Sequence, residues 1–408
     1  MIINIWKKIF KKKPVYLLED VFTPTTSANI SYIQRENVEK QLQKALIIPG
    51  KQIVIYGHSG SGKTTVLNHV LKENKIKGIV SRCTTHSSID SIILDAFDEL
   101  NPFYTEITTR LTKKRINAGL SSKYLDLKST LSSSMENSFG ETKKRVLPPQ
   151  LTIQRLSEFI GSAKAVWIIE DFHKVTDSEK IKISQMMKLF MDRAKDYPNL
   201  KIIVLGAANH GYEVVQYDNE LINRVSEIEV PLLNVQEITD IIEKGASVLN
   251  VKFSSNLPSV IASYSNCLAT IAHQLAFNLC YNKNVHKTQK GTVEIFDIEL
   301  DSAISDFTNE KQDTYKSLYL SITNQREGKY KNVEIILLTL CKLDNENATQ
   351  HDLLIEIQKE YPTYPPGNLS MYLQQLCSQE REEVLRNNSG RYSFSDPFFK
   401  AYVKMLRK

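Results

Sequence analysis

The sequence has few of the features that are typical of secreted proteins, of membrane-spanning proteins or of proteins stabilised by structural metal ions. Its 408 residues include five cysteines, which are scattered, odd in number and form no CxxC pair. This usage argues against a disulfide framework and against a zinc–thiolate site, and it predicts a reducing, cytoplasmic environment. No apolar run approaches the roughly 18–20 residues that a membrane-spanning helix needs. The N-terminus, in which most of the lysines follow a short apolar stretch, is a poor secretory signal.

A strong charge imbalance is also missing, since the net charge of +6 is too small to imply a nucleic-acid ligand by itself. Two stretches are locally basic. Residues 1–13 carry five lysines and no acid, so residues 1–29 are predicted to form a basic segment, either a frayed tail or a weak docking helix. Residues 101–150 hold nine basic and four acidic residues. They predict a mobile or partner-ordered polar insertion, with a nucleic-acid contact as the less favoured alternative.

The strongest motif is IVIYGHSGSGKTT at residues 53–65, where an apolar strand pattern ends in a glycine-rich turn. It satisfies GxxxxGK(S/T), the loop whose backbone amides surround phosphate oxygens at a helix N-terminus. Lys63 is expected to contact the β- and γ-phosphates, and the Thr64 hydroxyl to bind Mg²⁺. The predicted nucleotide-binding residues of this stretch are Gly57, His58, Ser59, Gly60, Ser61, Gly62, Lys63, Thr64 and Thr65.

A second signal is AVWIIED at residues 165–171, a buried-strand pattern that ends in paired acids. At the carboxyl edge of a neighbouring strand, such acids would lie beside the metal and the attacked phosphate. Glu170 is predicted to bind Mg²⁺ and Asp171 to activate water. The usual order is Asp before Glu, so the two roles could be exchanged, and a purely structural acidic strand end is the other alternative. Asn209 ends the next strand pattern and would either contact the γ-phosphate or form a turn.

Strand and helix patterns alternate over residues 35–233, which predicts an α/β fold with a parallel sheet. Beyond Leu233 the strand patterns stop, and helical patterns predict a small all-α domain. A less regular stretch follows at roughly 286–330. The last unit combines three helical patterns with a hairpin pattern at 382–396 and a closing helix at 397–408.

These motifs resemble those of the AAA+/STAND group of P-loop ATPases, in a layout similar to origin-recognition-type initiators and signal-transducing STAND ATPases. SYIQRENVEKQL (31–42) resembles the segment whose arginine, here Arg35, helps hold the adenine side of the nucleotide. LINRVSEIEVPLLNVQEITDII (221–242) resembles the segment in which an arginine, here Arg224, reaches the ATP of a neighbouring subunit. An ordinary surface arginine is the alternative. The resemblance implies ATP and Mg²⁺ as ligands, ATP hydrolysis, and a homo-oligomer with ATP-bridged interfaces.

The same resemblance divides the chain into domains. It implies a P-loop ATPase core at 30–233 containing the 101–150 insertion, a small α-helical lid at 234–285, a linker at 286–330 and a C-terminal winged helix at 331–408. The lid lacks the family's nucleotide-sensing arginine. Its segment SYSNCLATIAH (263–273) offers only His273, for which a structural role is favoured over a sensing one.

The charge of the last unit bears on its partner. Residues 331–408 hold ten basic and ten acidic residues, and the helical pattern 368–379 has no lysine or arginine. Because phosphate contacts supply most of the affinity for DNA, a protein partner is favoured, although Arg386 and Arg391 could contact a DNA backbone. The favoured function is a regulatory ATPase switch that assembles and recruits a partner in response to nucleotide; the resemblance alone implies bacterial antiviral defence. The alternative is a DNA-binding ATPase of the initiator or transposition-regulator type.

Overall fold

A computed structural model describes the fold over residues 14–111, 151–206, 221–324, 329–343 and 348–406. The basic residues 1–13, most of the predicted insertion and Asn209 lie outside these ranges. The chain divides into two units, which are described separately. The central unit is Gln34–Leu232, and the flanking unit joins Met1–Ile33 to Leu233–Lys408.

The central unit is an α/β structure, as predicted. In chain order, α1 (Leu18–Val21) precedes it, and the unit contains α2 (Glu36–Ile47), β1 (Gln52–Tyr56), α3 (Lys63–Glu73), β2 (Lys77–Arg82), α4 (Ile89–Leu111), α5 (Ile153–Ser162), β3 (Ala165–Glu170), α6 (Asp177–Asp192), β4 (Ile202–Leu205) and β5 (Val225–Glu229). The five strands pair in parallel in the order β2-β3-β4-β1-β5. Their carboxyl ends therefore meet at one edge of the sheet.

Apolar residues on both faces of the middle strands hold this sheet between helices. All four residues of β4 are buried, and so are the first five of β3, as expected for a parallel sheet covered on both sides. Trp167 is fully buried; its Nε1 donates to Ser81 Oγ at 3.0 Å, so its polar atom is satisfied inside the core. Two predictions need correction. The strand ending at Glu170 does not neighbour β1, because β4 lies between them. The α4 helix also extends to Leu111, inside the predicted insertion.

The flanking unit continues with shorter elements. They are α7 (Val235–Leu249), β6 (Val251–Phe253), α8 (Leu257–Tyr264), α9 (Ala269–Asn282), β7 (Val293–Ile295), α10 (Leu300–Glu310) and α11 (Ser317–Thr323). The expectation of an all-α domain is wrong in one respect, since β6 and β7 form a parallel pair. Each strand has three residues, too few for a periodic signal.

The expectation of a less regular stretch at 286–330 is also wrong, because α10 and α11 occupy much of it; its role as a linker stays a prediction. Four buried apolar side chains of α10 hold it in place: Leu300, Ala303, Ile304 and Phe307. Their spacing of i, i+3, i+4 and i+7 is the helical signal that identifies this segment.

Residues 14–33 pack within the flanking unit. The Leu18 N–H donates to the His286 carbonyl at 3.0 Å. Phe22 is fully buried against Gly245 of α7, where an added Cβ would lie 2.6 Å from the Phe22 ring. Glycine is therefore required at position 245 for this close approach. The part of the predicted N-terminal segment that the structure describes is thus a packed element of this unit.

His273 is part of the same packing. It is buried on α9, and its Nδ1 accepts the Thr23 N–H at 3.0 Å, which requires a neutral imidazole. Burial lowers the pKa of His273 to about 4. Within the residues described, its ring faces the N-terminal segment, with Phe22 edge-on at 6.0 Å between ring centroids. The favoured structural role of His273 fits these contacts.

This buried histidine should make stability depend on pH. The unfolded chain takes up a proton near pH 6.5, whereas folded His273 does so only near pH 4, so stability is lost as the pH falls between these values. The free energy of unfolding should drop by roughly 2 kcal/mol between pH 7.5 and 5 on this account. Thermal unfolding at both pH values measures it. His273→Gln should reduce the pH dependence and His351→Gln, at an exposed histidine, should not; equal slopes in all three proteins would contradict the assignment.

Residues 329–406 contain the C-terminal subdomain. Its elements are α12 (Asn332–Lys342), β8 (Ala348–Thr349), α13 (Gln350–Glu360), α14 (Pro366–Leu376), β9 (Leu385–Asn388), β10 (Arg391–Phe394) and α15 (Pro397–Leu406). The strands form an antiparallel sheet in the order β8-β10-β9. Three helices, a hairpin and a closing helix follow in the predicted order. Across the described ranges of the whole chain, no helix is both long enough and apolar enough to cross a membrane.

Candidate functional site

The loop between β1 and α3 has the backbone of a phosphate cradle. Gly57, Gly60 and Gly62 have φ angles of 141°, 75° and 87°, which lie in a region of backbone conformation that residues other than glycine rarely adopt. At Gly57 an added Cβ would lie 2.3 Å from the Val230 carbonyl oxygen. Ser61 Oγ is buried and has no hydrogen-bond partner among the described residues. The loop thus presents a tight turn, an available hydroxyl and the N-terminus of α3 to one place.

Lys63 is the first residue of α3, and its side chain turns back over the loop. Its Nζ donates to the carbonyls of Gly57 and His58 at 2.8 and 2.7 Å. Burial lowers the pKa of Lys63 to about 8, while the nearby Asp171 acts in the opposite direction. The ammonium is still the main form at pH 7, so a positive charge lies where the loop would receive phosphate oxygens.

The other loop residues lie where the motif predicts. The His58 carbonyl also accepts the Ser61 N–H at 3.2 Å, which closes the turn. Ser59 is exposed in the turn, and Thr65 is half-buried in the first turn of α3.

Thr64 of α3 lies close to Glu170, although β3, which ends at Glu170, does not pair with β1, the strand that precedes the loop. Thr64 Oγ1 lies 3.5 Å from Glu170 Oε1. The other oxygen, Oε2, accepts from Arg82 Nε at 3.1 Å; Arg82 ends β2 and is in register with Glu170. The sequence analysis did not single out Arg82. Its position at the end of the predicted strand KGIVSRC, at the same sheet edge, is the signal that could identify it.

Asp171 follows β3 with a left-handed backbone, φ 59°, which asparagine and aspartate tolerate better than most residues. Its Oδ2 lies 2.7 Å from Lys174 Nζ. Lys174 Nζ donates to the Asp171 carboxylate and holds it. The two acids therefore have different surroundings, Glu170 with Thr64 and Arg82 and Asp171 with Lys174.

Arg35 lies behind the loop, and its guanidinium contacts backbone. Its side chain is buried and donates to the Ser61 carbonyl at 3.0 Å and to the Pro231 carbonyl at 2.8 Å. It thus ties the phosphate loop to the segment after β5, a positioning contact that the sequence motif did not indicate. Its predicted role at the adenine stays a prediction.

Arg224 lies at the opposite edge of the sheet. Its carbonyl accepts the N–H of Gln52, the first residue of β1, at 3.0 Å, and the phosphate loop follows the last residue, Tyr56. A five-residue strand spans about 15 Å, beyond the reach of an arginine side chain. Exposed Arg224 lies 3.7 Å from Asp192. It cannot serve its own loop, so any catalytic role requires a second subunit. Asn209 lies outside the described residues.

Comparison with known proteins agrees with this geometry. A family described as an ATPase domain predominantly from Archaea matches residues 32–265, more than half of the chain. The chain belongs to this ATPase family. A search of the curated proteins found no significant match.

This ATPase is similar to three solved structures, of which the first supports its fold. It is similar to a Walker-type ATPase of Pyrococcus abyssi, with 14% identity, a TM-score of 0.52, and coverage of 91% of this chain and 96% of that one. Cdc6p of Pyrobaculum aerophilum has 14% identity and a TM-score of 0.47, covering 97% and 98% of the two chains. The ORC2 protein of Aeropyrum pernix has 12% identity and a TM-score of 0.49, covering 97% and 98%.

The site fits the Mg²⁺–nucleotide that an ATPase requires. Hydroxyl and carboxylate oxygens, here from Thr64 and Glu170, are the ligands that Mg²⁺ prefers. The glycine cradle and the buried Ser61 hydroxyl suit phosphate oxygens. When bound, Mg²⁺ would neutralise charge on the phosphates. Thr64 and Glu170 would hold it while Lys63 binds the phosphates beside it.

ATP hydrolysis also requires side chains that orient the attacking water molecule and accept its proton. This enzyme hydrolyses ATP, and phosphoryl transfer depends mainly on positioning and charge stabilisation. Asp171 lies at the same edge of the sheet as the loop, and its role as the acceptor of a proton from water stays a prediction. Lys174 fixes its orientation, and Arg35 fixes the loop through the Ser61 carbonyl.

Proposed function

We propose that this ATPase is a nucleotide-controlled, DNA-binding switch of the AAA+ type, similar to origin-recognition ATPases, in which the C-terminal subdomain is a winged helix that contacts duplex DNA. The observation that carries the proposal is the surface formed by α14 and the β9–β10 hairpin. Residues 366–376 and 384–395 together contain two arginines and no acidic residue. The neutrality of the whole subdomain hides this local excess of positive charge.

The side chains on this surface suit contacts with DNA. Ser370 and Gln374 are exposed on α14, and uncharged hydrogen-bonding side chains on a helix can contact base edges in the major groove. Arg391 is exposed on the hairpin, and Arg386 lies on the paired strand. Phosphate contacts from a hairpin position such a helix.

Three acidic residues elsewhere in the subdomain form local ion pairs. Glu334, Glu356 and Glu360 each pair with a lysine, namely Lys331, Lys359 and Lys342. Each of these pairs is neutral, so the six residues add no net charge to the potential at the surface formed by α14 and the hairpin.

Duplex affinity measured against salt concentration, with ATP and with ADP, tests the proposal. Arg391→Ala should weaken binding to all sequences and lower the salt slope by about 1. Gln374→Ala should instead reduce discrimination between sequences. Lys331→Ala is the matched control. It removes one positive charge from the same subdomain, but Lys331 pairs with Glu334 and lies outside α14 and the hairpin, so duplex binding should be as in the wild type. Absence of duplex binding in both nucleotide states at low salt would overturn the proposal.

A protein-recruiting switch is the second candidate, because the subdomain is neutral overall and α14 carries no lysine or arginine. The bacterial defence role implied by the family resemblance would belong to this candidate. It is distinguished by an assembly state that changes with nucleotide while duplex DNA has no effect on turnover.

Either candidate gives Arg224 a role across a subunit boundary. Arg224→Ala should lower ATP turnover by about 100-fold under oligomeric conditions, since a donor to transition-state charge would be lost. Arg155→Ala, at an exposed arginine of the same unit, is the control. Mixing Arg224→Ala with Lys63→Ala chains should restore part of the activity, because the second chain brings an intact arginine to the intact site of the first. Unchanged turnover in Arg224→Ala would exclude this role.

A further inference from the structure

Two helices of the central unit bring an imidazole and two carboxylates together outside the phosphate site. Glu39 on α2 and His69 and Glu73 on α3 each place a possible ligand atom within 4.8 Å of the other two. His69 and Glu73 are one helical turn apart, and Nε2 lies 3.3 Å from Oε1. Glu39 is buried, His69 is half-buried and Glu73 is exposed, so the cluster reaches the surface on the Glu73 side.

We propose that Glu39, His69 and Glu73 bind a divalent first-row transition-metal ion, with Zn²⁺ as the preferred occupant. Imidazole nitrogen with carboxylate oxygen is a donor set suited to Zn²⁺. Ligands of a tetrahedral zinc lie about 3.4 Å apart, so closing the site needs only small side-chain movements. A water from the exposed side completes the four ligands. Mg²⁺ prefers oxygen ligands in an octahedron and is a poor competitor here.

The site is separate from the phosphate site but is joined to it through helix α3 and through two hydrogen bonds of Arg35. His69 is six residues beyond Lys63, about 9 Å along the helix axis. Glu39 Oε1 accepts the Arg35 N–H at 2.8 Å, and the Arg35 guanidinium donates to the Ser61 carbonyl of the loop at 3.0 Å. An ion held by Glu39 would fix α2 against α3 and thereby restrain the residue that supports the loop.

Titration of the full chain with Zn²⁺ in calorimetry, without nucleotide and with Mg²⁺ present, tests the site. One ion should bind per chain. Glu39→Gln and His69→Gln should each weaken binding by about 100-fold or more, since even changes outside the ligand set cost 10–100-fold. Glutamine keeps an acceptor for the Arg35 N–H, so Glu39→Gln should fold. Zn²⁺ at a hundredfold excess over its Kd should raise the Tm of the wild type by ~5 °C.

Two control variants separate this site from other histidines and acids. Glu36→Gln changes an exposed carboxylate of the same helix, which pairs with Lys40, and His86→Gln changes an exposed histidine. Both should bind Zn²⁺ as the wild type does. Absence of stoichiometric binding overturns the proposal, and so does binding that survives in Glu39→Gln and His69→Gln. Co²⁺ gives a further test, because its absorption spectrum must show nitrogen and oxygen ligands without a thiolate charge-transfer band.

Discussion

Lys63→Ala is expected to weaken ATP binding by about 10³-fold. The ammonium places a positive charge at the phosphate cradle, where it donates to the Gly57 and His58 carbonyls. Truncating one partner of a buried, hydrogen-bonded charge pair costs about 2–5 kcal/mol, which corresponds to this range of affinity. Equilibrium binding of a fluorescent ATP analogue measures it directly.

The matched control is Lys72→Ala, an exposed lysine near the other end of the same helix. It removes the same charge about 13 Å along the helix axis from Lys63 and should leave the affinity within about twofold, as exposed substitutions usually do. Circular dichroism and Tm confirm that both variants fold. Wild-type affinity in folded Lys63→Ala would contradict the assignment of the phosphate site.

Asp171→Asn is expected to bind ATP with near wild-type affinity and to hydrolyse it about 10³-fold more slowly. Loss of a general base costs 10²–10⁴-fold, and asparagine tolerates the left-handed backbone at this position. The substitution should therefore remove the proton acceptor without straining the turn. Single-turnover hydrolysis and nucleotide affinity, measured on the same preparation, separate the two effects.

Glu170→Gln distinguishes the two acids. Because Glu170 faces the Thr64 hydroxyl at 3.5 Å, its loss should raise the Mg²⁺ concentration needed for half-maximal turnover. Asp177→Asn, at an exposed carboxylate in the first turn of α6, should leave both properties unchanged. If Glu170→Gln instead abolishes hydrolysis while ATP and Mg²⁺ still bind tightly, the roles of the two acids are exchanged.

Much of the ATPase site was predictable because the residues that form the phosphate-binding loop are contiguous in the sequence. Residues 57–64 form the cradle from their own backbone, so the glycines and Lys63 identify it without reference to the rest of the chain. The buried β1 and β3 patterns placed Glu170 and Asp171 at the same sheet edge as the loop. The order of the strands was less predictable, since hydrophobic periodicity identifies a buried strand and does not specify its neighbour.

In the flanking unit, too, some elements could be predicted from the sequence and others could not. Its long amphipathic helices α7 and α9 follow from spacing, whereas the β6–β7 pair joins segments that are about 40 residues apart. The packing of residues 14–33 against α7 and α9 likewise depends on Phe22 and His273, which are distant in the chain. Local sequence contains no signal for such a pairing.

The sequence by itself determined that the chain contains a P-loop with acids at the sheet edge, in an alternating α/β unit followed by helical elements and a C-terminal hairpin. Only the tertiary structure decided the contacts around that loop: Arg35 on Ser61, Arg82 on Glu170, and the cluster of Glu39, His69 and Glu73. The physical reason is the range of the interactions. Backbone conformation and helix or strand periodicity are set by near neighbours, whereas these polar contacts exist only after separate helices and strands have packed together.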